Sequence, residues 1–285
     1  MSTEANAAQL EYWNTVAGPR WVGLAGFVER RVQKVNDLLL TRSAVAPGEK
    51  VLEVGCGTGA ATVPLAEAVG DTGEVVGIDI SEPMLAGARE RISHSALRNI
   101  TLLRADAQVH AFEPQRFDLI ASRFGVMFFA DPTAAFRNLH GATRPGGRLC
   151  FACWAGLKEN RHWLIPYEVA LRHLGPPAPK PPHAPGPMAF ADQEYLRSVL
   201  DRAGYEGIEI RRETPEIIGA SPREEAEHAC IMGPSARLID EKQPQESVRE
   251  LIKQEMTEAF AAYAKGEAMV LPSTIFLVTA RRAVS

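Results

Sequence analysis

A short apolar run, Val51-Leu52-Glu53-Val54, leads straight into glycines at 55, 57 and 59, with Cys56 and Thr58 between them. Glycines at that spacing let the main chain turn tightly between a strand and a helix. They also let a ligand approach the backbone without meeting a Cβ. Asp79 ends the next apolar run, about 20 residues on, where a carboxylate can accept both hydroxyls of a ribose. The chemistry on offer is nucleoside binding at the carboxyl edge of an open α/β sheet, where such sheets hold their ligands.

Which nucleoside depends on charge. Gly55, Gly57 and Ala60 satisfy the looser G-x-G-x-x-A turn of nicotinamide-dinucleotide enzymes, and Asp79 suits those enzymes too. Glu53 points the other way. It places a carboxylate inside the strand before the glycines, where a pyrophosphate gains nothing from the neighbouring negative charge. A ligand carrying positive charge does gain. Three further positions fit the second reading: Asp106 just after the third strand, Phe117-Asp118 opening the fourth, and the Arg144-Pro145-Gly146-Gly147 turn before the fifth.

The elements that must position these groups follow from rhythm. Residues 7–43 have helical spacing, with a break at Ala17-Gly18-Pro19 that divides them into two helices. From residue 50, strands (51–54, 74–79, 100–104, 117–122, 148–154) alternate with helices (60–69, 82–92, 133–143). Nearly continuous apolar strands alternating with helices predict a parallel sheet covered on both faces, with right-handed crossovers. Residues 175–187 hold seven prolines and read as a stiff, extended surface segment. A helix at 192–203, stopped by Gly204, and a strand at 208–213 resume the pattern. Residues 221–268 read as helical, with an apolar stripe at Ile252, Met256, Phe260 and Tyr263, and 274–279 form a last strand. The resulting division is an N-terminal helical lid (1–48), a core (49–154), a Pro-rich insertion (155–190), core helix and strand six (191–218), a helical cap (219–271) and strand seven (272–285).

Bulk properties narrow the function classes. The 285 residues are 46% hydrophobic and 23% charged, with a formal net charge of -4, which is a globular composition. Basic residues occur as scattered pairs such as Arg30-Arg31, not as stripes, and the cap is acidic, so nucleic acid is not the expected partner. Residues 1–10 contain no basic group and do not read as a signal or transit peptide. No apolar run approaches the roughly 20 residues a membrane span needs. Four cysteines make no disulfide scaffold. Cys150 and Cys153 are three apart on a strand and face opposite ways, so no metal site is expected. The expected location is a reducing cytoplasm, and an exposed cap surface leaves a homodimer open.

With these motifs in view, the run 50–151 resembles the class I S-adenosylmethionine-dependent methyltransferases, most closely those of the ubiquinone/menaquinone C-methyltransferase type. The likeness is looser in the N-terminal helices and looser still in the cap. It implies a doubly wound, seven-stranded, mostly parallel Rossmann-like sheet whose last strand is antiparallel. It also implies S-adenosylmethionine as cofactor and S-adenosylhomocysteine as product. By the same resemblance Glu53 and the backbone of Gly55, Cys56, Gly57 and Gly59 hold the methionine end. Asp79 takes the ribose diol, Ile80 and Met84 pack near the adenine, and Asp106 and Ala107 read its edge. Ser122 lies beneath the methionine portion, Arg123 and Phe124 lie near the methyl group, and the aromatic lid draws on Tyr12, Trp13 and Trp21. The set at 123–129 departs from the family's common polar and aromatic residues.

Each of these positions also has a plain structural reading: Glu53 as an ion-pair partner, Asp106 as a turn residue, Asp118 as a backbone cap, Trp13 as packing. Among the histidines, His140 reads as packing. His162, just past strand five, is placed near the acceptor as a candidate general base. Methyl transfer is an in-line displacement in which alignment and exclusion of water are the protein's main tasks. Met127, Phe128, Phe129, Trp154 and Trp163 would make the pocket apolar and aromatic, suited to a small lipophilic or aromatic acceptor, with Tyr12 and Phe124 also touching it. Two other functions share the same turn: an NAD(P)-dependent oxidoreductase and a non-catalytic cofactor-binding protein.

Overall fold

The structure is a computed structural model that describes residues 6–265 and 268–284. Residues 1–5, part of the 1–10 segment read above as no signal or transit peptide, and residues 266, 267 and 285 lie outside it.

Four short helices open the chain: α1 (Ala7–Thr15), α2 (Ala17–Gly23), α3 (Ala25–Arg31) and α4 (Gln33–Ser43). Two longer helices were expected. The break falls at Val16, and Gly18-Pro19 sit inside the first turn of α2, where a proline's missing N–H has no helical partner to lose. The core then runs β1 (Lys50–Val54), α5 (Thr62–Val69), β2 (Glu74–Asp79), α6 (Glu82–Ser93), β3 (Ile100–Arg104), β4 (Phe117–Arg123), α7 (Pro132–Ala142) and β5 (Thr143–Trp154). Ser81 and Asp131 cap α6 and α7 through their side chains, each with proline in the first turn. The Pro145-Gly146-Gly147 turn lies within β5 as an irregularity, because pairing with β4 shifts register between Phe117 and Leu119.

The middle of the chain departs most from the sequence expectations. Residues 155–190 contain a long amphipathic helix, α8 (Arg161–Leu174), which tolerates Pro166 in its interior. Next come α9 (Gln193–Ala203), capped by Asp192 and stopped by Gly204 in the left-handed region, β6 (Glu206–Glu213) and β7 (Glu216–Gly219). The cap holds α10 (Pro222–Ala229), α11 (Gly233–Lys242) and α12 (Glu246–Ala261), but it is not purely helical. β8 (Ala264–Lys265) and β9 (Ala268–Pro272) join β7 in a small antiparallel sheet. The chain returns to the core as β10 (Ile275–Arg281).

The large sheet has seven strands in the order β3-β2-β1-β4-β5-β10-β6. Pairing is parallel from β3 to β5, and β10 runs antiparallel to both neighbours. The order reverses at β1, which is the switch point where a crevice opens beyond the strand ends. Both faces of the central strands are dry: Leu52, Ile78, Leu119, Ile120 and Phe151 are fully buried. Ile252, Met256 and Phe260 of the expected stripe are buried under α12, while Tyr263 lies just beyond the helix, partly buried. Cys150 and Cys153 are buried free thiols opposite Thr279 and Phe276. Asp118 accepts the Lys50 N–H at 2.7 Å and pairs with Arg144, away from the crevice.

Candidate active site

The glycine turn is built by close approach. Gly55, Gly57 and Gly59 all have positive φ (68°, 55° and 79°), which side-chain-bearing residues rarely adopt. A Cβ on Gly55 would sit 2.6 Å from the Cα of Gly125, so the β1 and β4 loops cross glycine on glycine. Phe124, beside it, takes φ 66°, a strained conformation for an aromatic residue, and holds it by donating its N–H to Ala152. Ser122 is buried as a strut that donates to the Val54 carbonyl at 2.7 Å and accepts from the Gly125 N–H. It and Gly59, which backs onto Ala88 and Arg91, lie behind the wall of the crevice, not in it.

Asp79 fixes the rim. Its two oxygens accept the N–H groups of Gly57 and Ser81, both at 2.9 Å, tying the end of β2 to the turn. Burial raises its pKa, and the hydrogen bonds from Ser81, Gly57 and Ile80 oppose the rise. Glu53 is deeper, 2% exposed, with Thr62 donating to one carboxylate oxygen. Burial pushes its carboxyl up to about 7, despite the Thr62 hydroxyl and the nearby Arg123 charge. Burial, aided by the same two carboxylates, pushes the Cys56 thiol pKa well up.

The lid docks through polar groups that sequence reasoning missed. Asn14 of α1 donates to the Ile80 carbonyl and accepts from the Glu82 N–H, capping the start of α6. Ser81 donates to the Trp13 carbonyl at 2.8 Å, and a Cβ on Gly18 would lie 2.1 Å from that same oxygen. Asn6 donates to Asp106 at 2.7 Å and accepts from Ala130 N–H, while the other Asp106 oxygen accepts Gln108 N–H. Asp106 is therefore both a turn residue and a wall of the crevice. The one cue available beforehand was the pair of asparagines among helix formers.

These elements enclose a cavity of about 750 Å³, within the size range of small-molecule sites. One end is lined by Glu53, Gly55, Cys56, Gly57, Asp79, Ile80, Met84, Asp106, Ala107 and Arg123 of the expected cofactor set. Trp21 and Tyr12 of the lid face the same space, with Trp13 edge-on to Phe128 at 5.1 Å between ring centroids. The other end is aromatic: Phe124 stacks on Trp154 at 4.3 Å, and Trp163 and His162 lie 4.9 and 5.0 Å from Trp154. Met127, Phe128 and Phe129 complete it. The proline-rich strap, expected to be a surface segment, is also a wall: residues 176–180 and 184–188 line the cavity, and Gly186 N–H anchors to the Met127 carbonyl at 3.0 Å. His162 is 2% exposed, and burial together with Arg31 holds its pKa well below the ordinary value. That opposes the expected general-base role.

The cradle fits a cationic nucleoside. The glycine backbone and Asp79 suit a ribose, and the Glu53 carboxylate beside the turn disfavours a diphosphate and favours a positive charge. Residues 51–147 match the sequence family described as Methyltransferase domain. Those residues, from β1 into β5, are similar to a methyltransferase domain.

The chain is 39% identical over 113 residues to an aklanonic acid methyltransferase of Streptomyces sp. strain C5, covering 40% of this chain and 51% of that protein. It is 36% identical over 118 residues to the demethylmenaquinone methyltransferase of Geobacillus stearothermophilus, covering 41% and 50%. The chain thus spans about half the length of the curated relatives it matches. Its fold is shared with phosphoethanolamine N-methyltransferase 2 of Haemonchus contortus in complex with phosphomonomethylethanolamine and S-adenosylhomocysteine (TM-score 0.54, 18% identity, 88% of this chain and 52% of that one). It is shared equally with the cyclase SpnF (TM-score 0.54, 18% identity, 88% and 82%). Among the described residues no helix is long and apolar enough to cross a membrane, and no group of three or more His, Cys, Asp or Glu is placed to hold a metal.

Proposed function

We propose that the protein moves the methyl group of S-adenosylmethionine to a small, flat, largely apolar acceptor held in the aromatic end of the cavity. The observation that carries this is the continuity of one space, from the Glu53–Asp79 turn past Phe124 to Trp154, His162 and Trp163. When bound, the cofactor supplies an electrophilic methyl on a sulfonium, and the chain's residues bind, orient and keep out water.

In this reading Asp79, already anchored by two backbone N–H groups, offers its remaining lone pairs to the ribose hydroxyls. Glu53 faces the ammonium, which favours its ionised form. Burial lowers the Arg123 pKa, and the charges of Glu53 and Glu29 oppose that effect. Ile80 and Met84 supply apolar surface for the base, and Asp106 with the Ala107 backbone supplies its polar edge. Phe124, strained and stacked on Trp154, separates the two ends and fixes the line along which an acceptor approaches. Loss of charge at the sulfur during transfer suits the dry aromatic side.

Calorimetry with S-adenosylhomocysteine and with NADH tests the binding half, and a panel of phenolic and enolic acceptors with methyl-labelled cofactor tests the transfer. Tight binding of the thioether and label transfer are expected. NADH binding with no response to S-adenosylhomocysteine overturns the proposal, and cofactor binding without transfer to any acceptor leaves a binding protein.

A further inference from the structure

His162 stands near the start of α8 and is 2% exposed. Its ring centroid is 5.0 Å from both Trp154 and Trp163, and it lines the aromatic end of the cavity. Neither Nδ1 nor Nε2 has a hydrogen-bond partner among the described residues. Two stripped polar atoms on one buried ring are a destabilising arrangement that a folded chain rarely keeps without use.

The charged groups packed near the ring are committed to each other. Arg31 of α3 donates to both oxygens of Glu225 at 2.6 Å, and Glu225 of α10 also accepts the Ala220 N–H. His228 of α10 lies tilted against Phe27 at 3.8 Å between ring centroids, and its own Nδ1 has no partner among the described residues. On its own element the flanking Trp163 contributes ring surface. No described residue hydrogen-bonds either nitrogen. Proton removal from an acceptor would create an imidazolium in an apolar chamber beside a guanidinium, and both surroundings oppose that. A neutral imidazole instead offers one donor and one acceptor.

We propose that His162 reads the acceptor, one ring nitrogen hydrogen-bonding a hydroxyl or carbonyl oxygen carried by a flat aromatic ligand that lies against Trp163 and the Phe124–Trp154 stack. His162 then selects an oxygen-bearing ring over a hydrocarbon of the same shape and leaves proton removal to the acceptor's own acidity. This rests on the cavity end being the acceptor chamber.

The probes are 2-naphthol and 2-methylnaphthalene, matched in shape but differing by a hydroxyl for a methyl. They are titrated against the full chain at neutral pH, with and without saturating S-adenosylhomocysteine. Wild type should bind 2-naphthol about tenfold more tightly, the worth of one buried hydrogen bond to a group otherwise unpaired. H162F keeps a flat ring and should bring the two affinities to within about twofold, with S-adenosylhomocysteine affinity unchanged. H162Q should keep part of the preference. In wild type the ¹⁵N resonance of one imidazole nitrogen should shift with 2-naphthol and not with 2-methylnaphthalene, a readout that a purely structural role does not move. Equal affinities in wild type, binding of neither probe, or a preference that survives in H162F overturns the proposal. Failure of S-adenosylhomocysteine to bind while the preference persists removes the methyl-transfer reading and leaves the role of His162 standing.

Discussion

Gly55 and Gly125 meet backbone to backbone: a methyl group on Gly125 would lie 2.5 Å from the Val54 carbonyl and 2.8 Å from the Gly55 Cα. Neither neighbour is a flexible side chain, so the clash cannot be relieved without moving the turn. G125A is expected to destabilise the protein by about 1–3 kcal/mol, the usual cost of overpacking, and to weaken S-adenosylhomocysteine binding by more than its effect on melting implies. A melting temperature and an affinity both at wild-type values show that the crossing does not set the site.

Asp79 holds the turn and lines the cavity at once. D79A strips the Gly57 and Ser81 N–H groups of their acceptor and removes the contact proposed for the ribose. Cofactor affinity should fall by about 1–3 kcal/mol, measured by calorimetry. Unchanged affinity takes Asp79 out of the site.

Glu53 gives the site a pH signature. Its folded pKa, about 7, lies above its ordinary value of 4.5, so between those values the folded chain binds a proton that the unfolded chain does not. The sign follows from linkage: the ligand-free protein loses stability as pH rises from 4.5 towards 7, by about 1.4 kcal/mol per pH unit. Binding a ligand ammonium favours the carboxylate, so complex formation near pH 6 should release close to one proton. Calorimetry in buffers of differing ionisation enthalpy reads that release, which E53Q should abolish.

The lid depends on Gly18. G18A would place a methyl 2.1 Å from the Trp13 carbonyl and 2.6 Å from the Ser81 hydroxyl. The expected outcome is undocking of α1 from the α6 rim, seen as faster proteolysis within α1 and α2 and weaker cofactor binding, with the core's melting little changed. Proteolysis at the wild-type rate refutes the latch.

Arg31 and Glu225 join the lid to the cap as a buried ion pair, 7% and 2% exposed. R31M strands the carboxylate and should cost about 3–5 kcal/mol. The double variant R31M/E225L should recover most of that loss in denaturant unfolding, because both charges leave together.

The α/β core was legible because its signals are local. The alternation of apolar strands with helices and the stop at Gly204 each depend on a few adjacent residues. The three-stranded sheet of the cap was not legible, since β7 pairs with β9 across more than 40 intervening residues, and short strands of that kind have no rhythm of their own. Helix α8 was hidden by Pro166 and by the proline-rich stretch after it.

By itself the sequence determined the glycine turn, the carboxylates at 53 and 79 and the side of the sheet on which they act, because residue type and spacing dictate what a strand–turn–helix can hold. Tertiary structure alone decided that Gly125 closes the floor, that Asn6, Asn14 and Gly18 latch the lid, that the proline strap walls the cavity, and that His162 is left with two unpaired nitrogens among tryptophans. Those are contacts between segments far apart in the chain, set by how the layers pack, and no run of neighbouring residues encodes them.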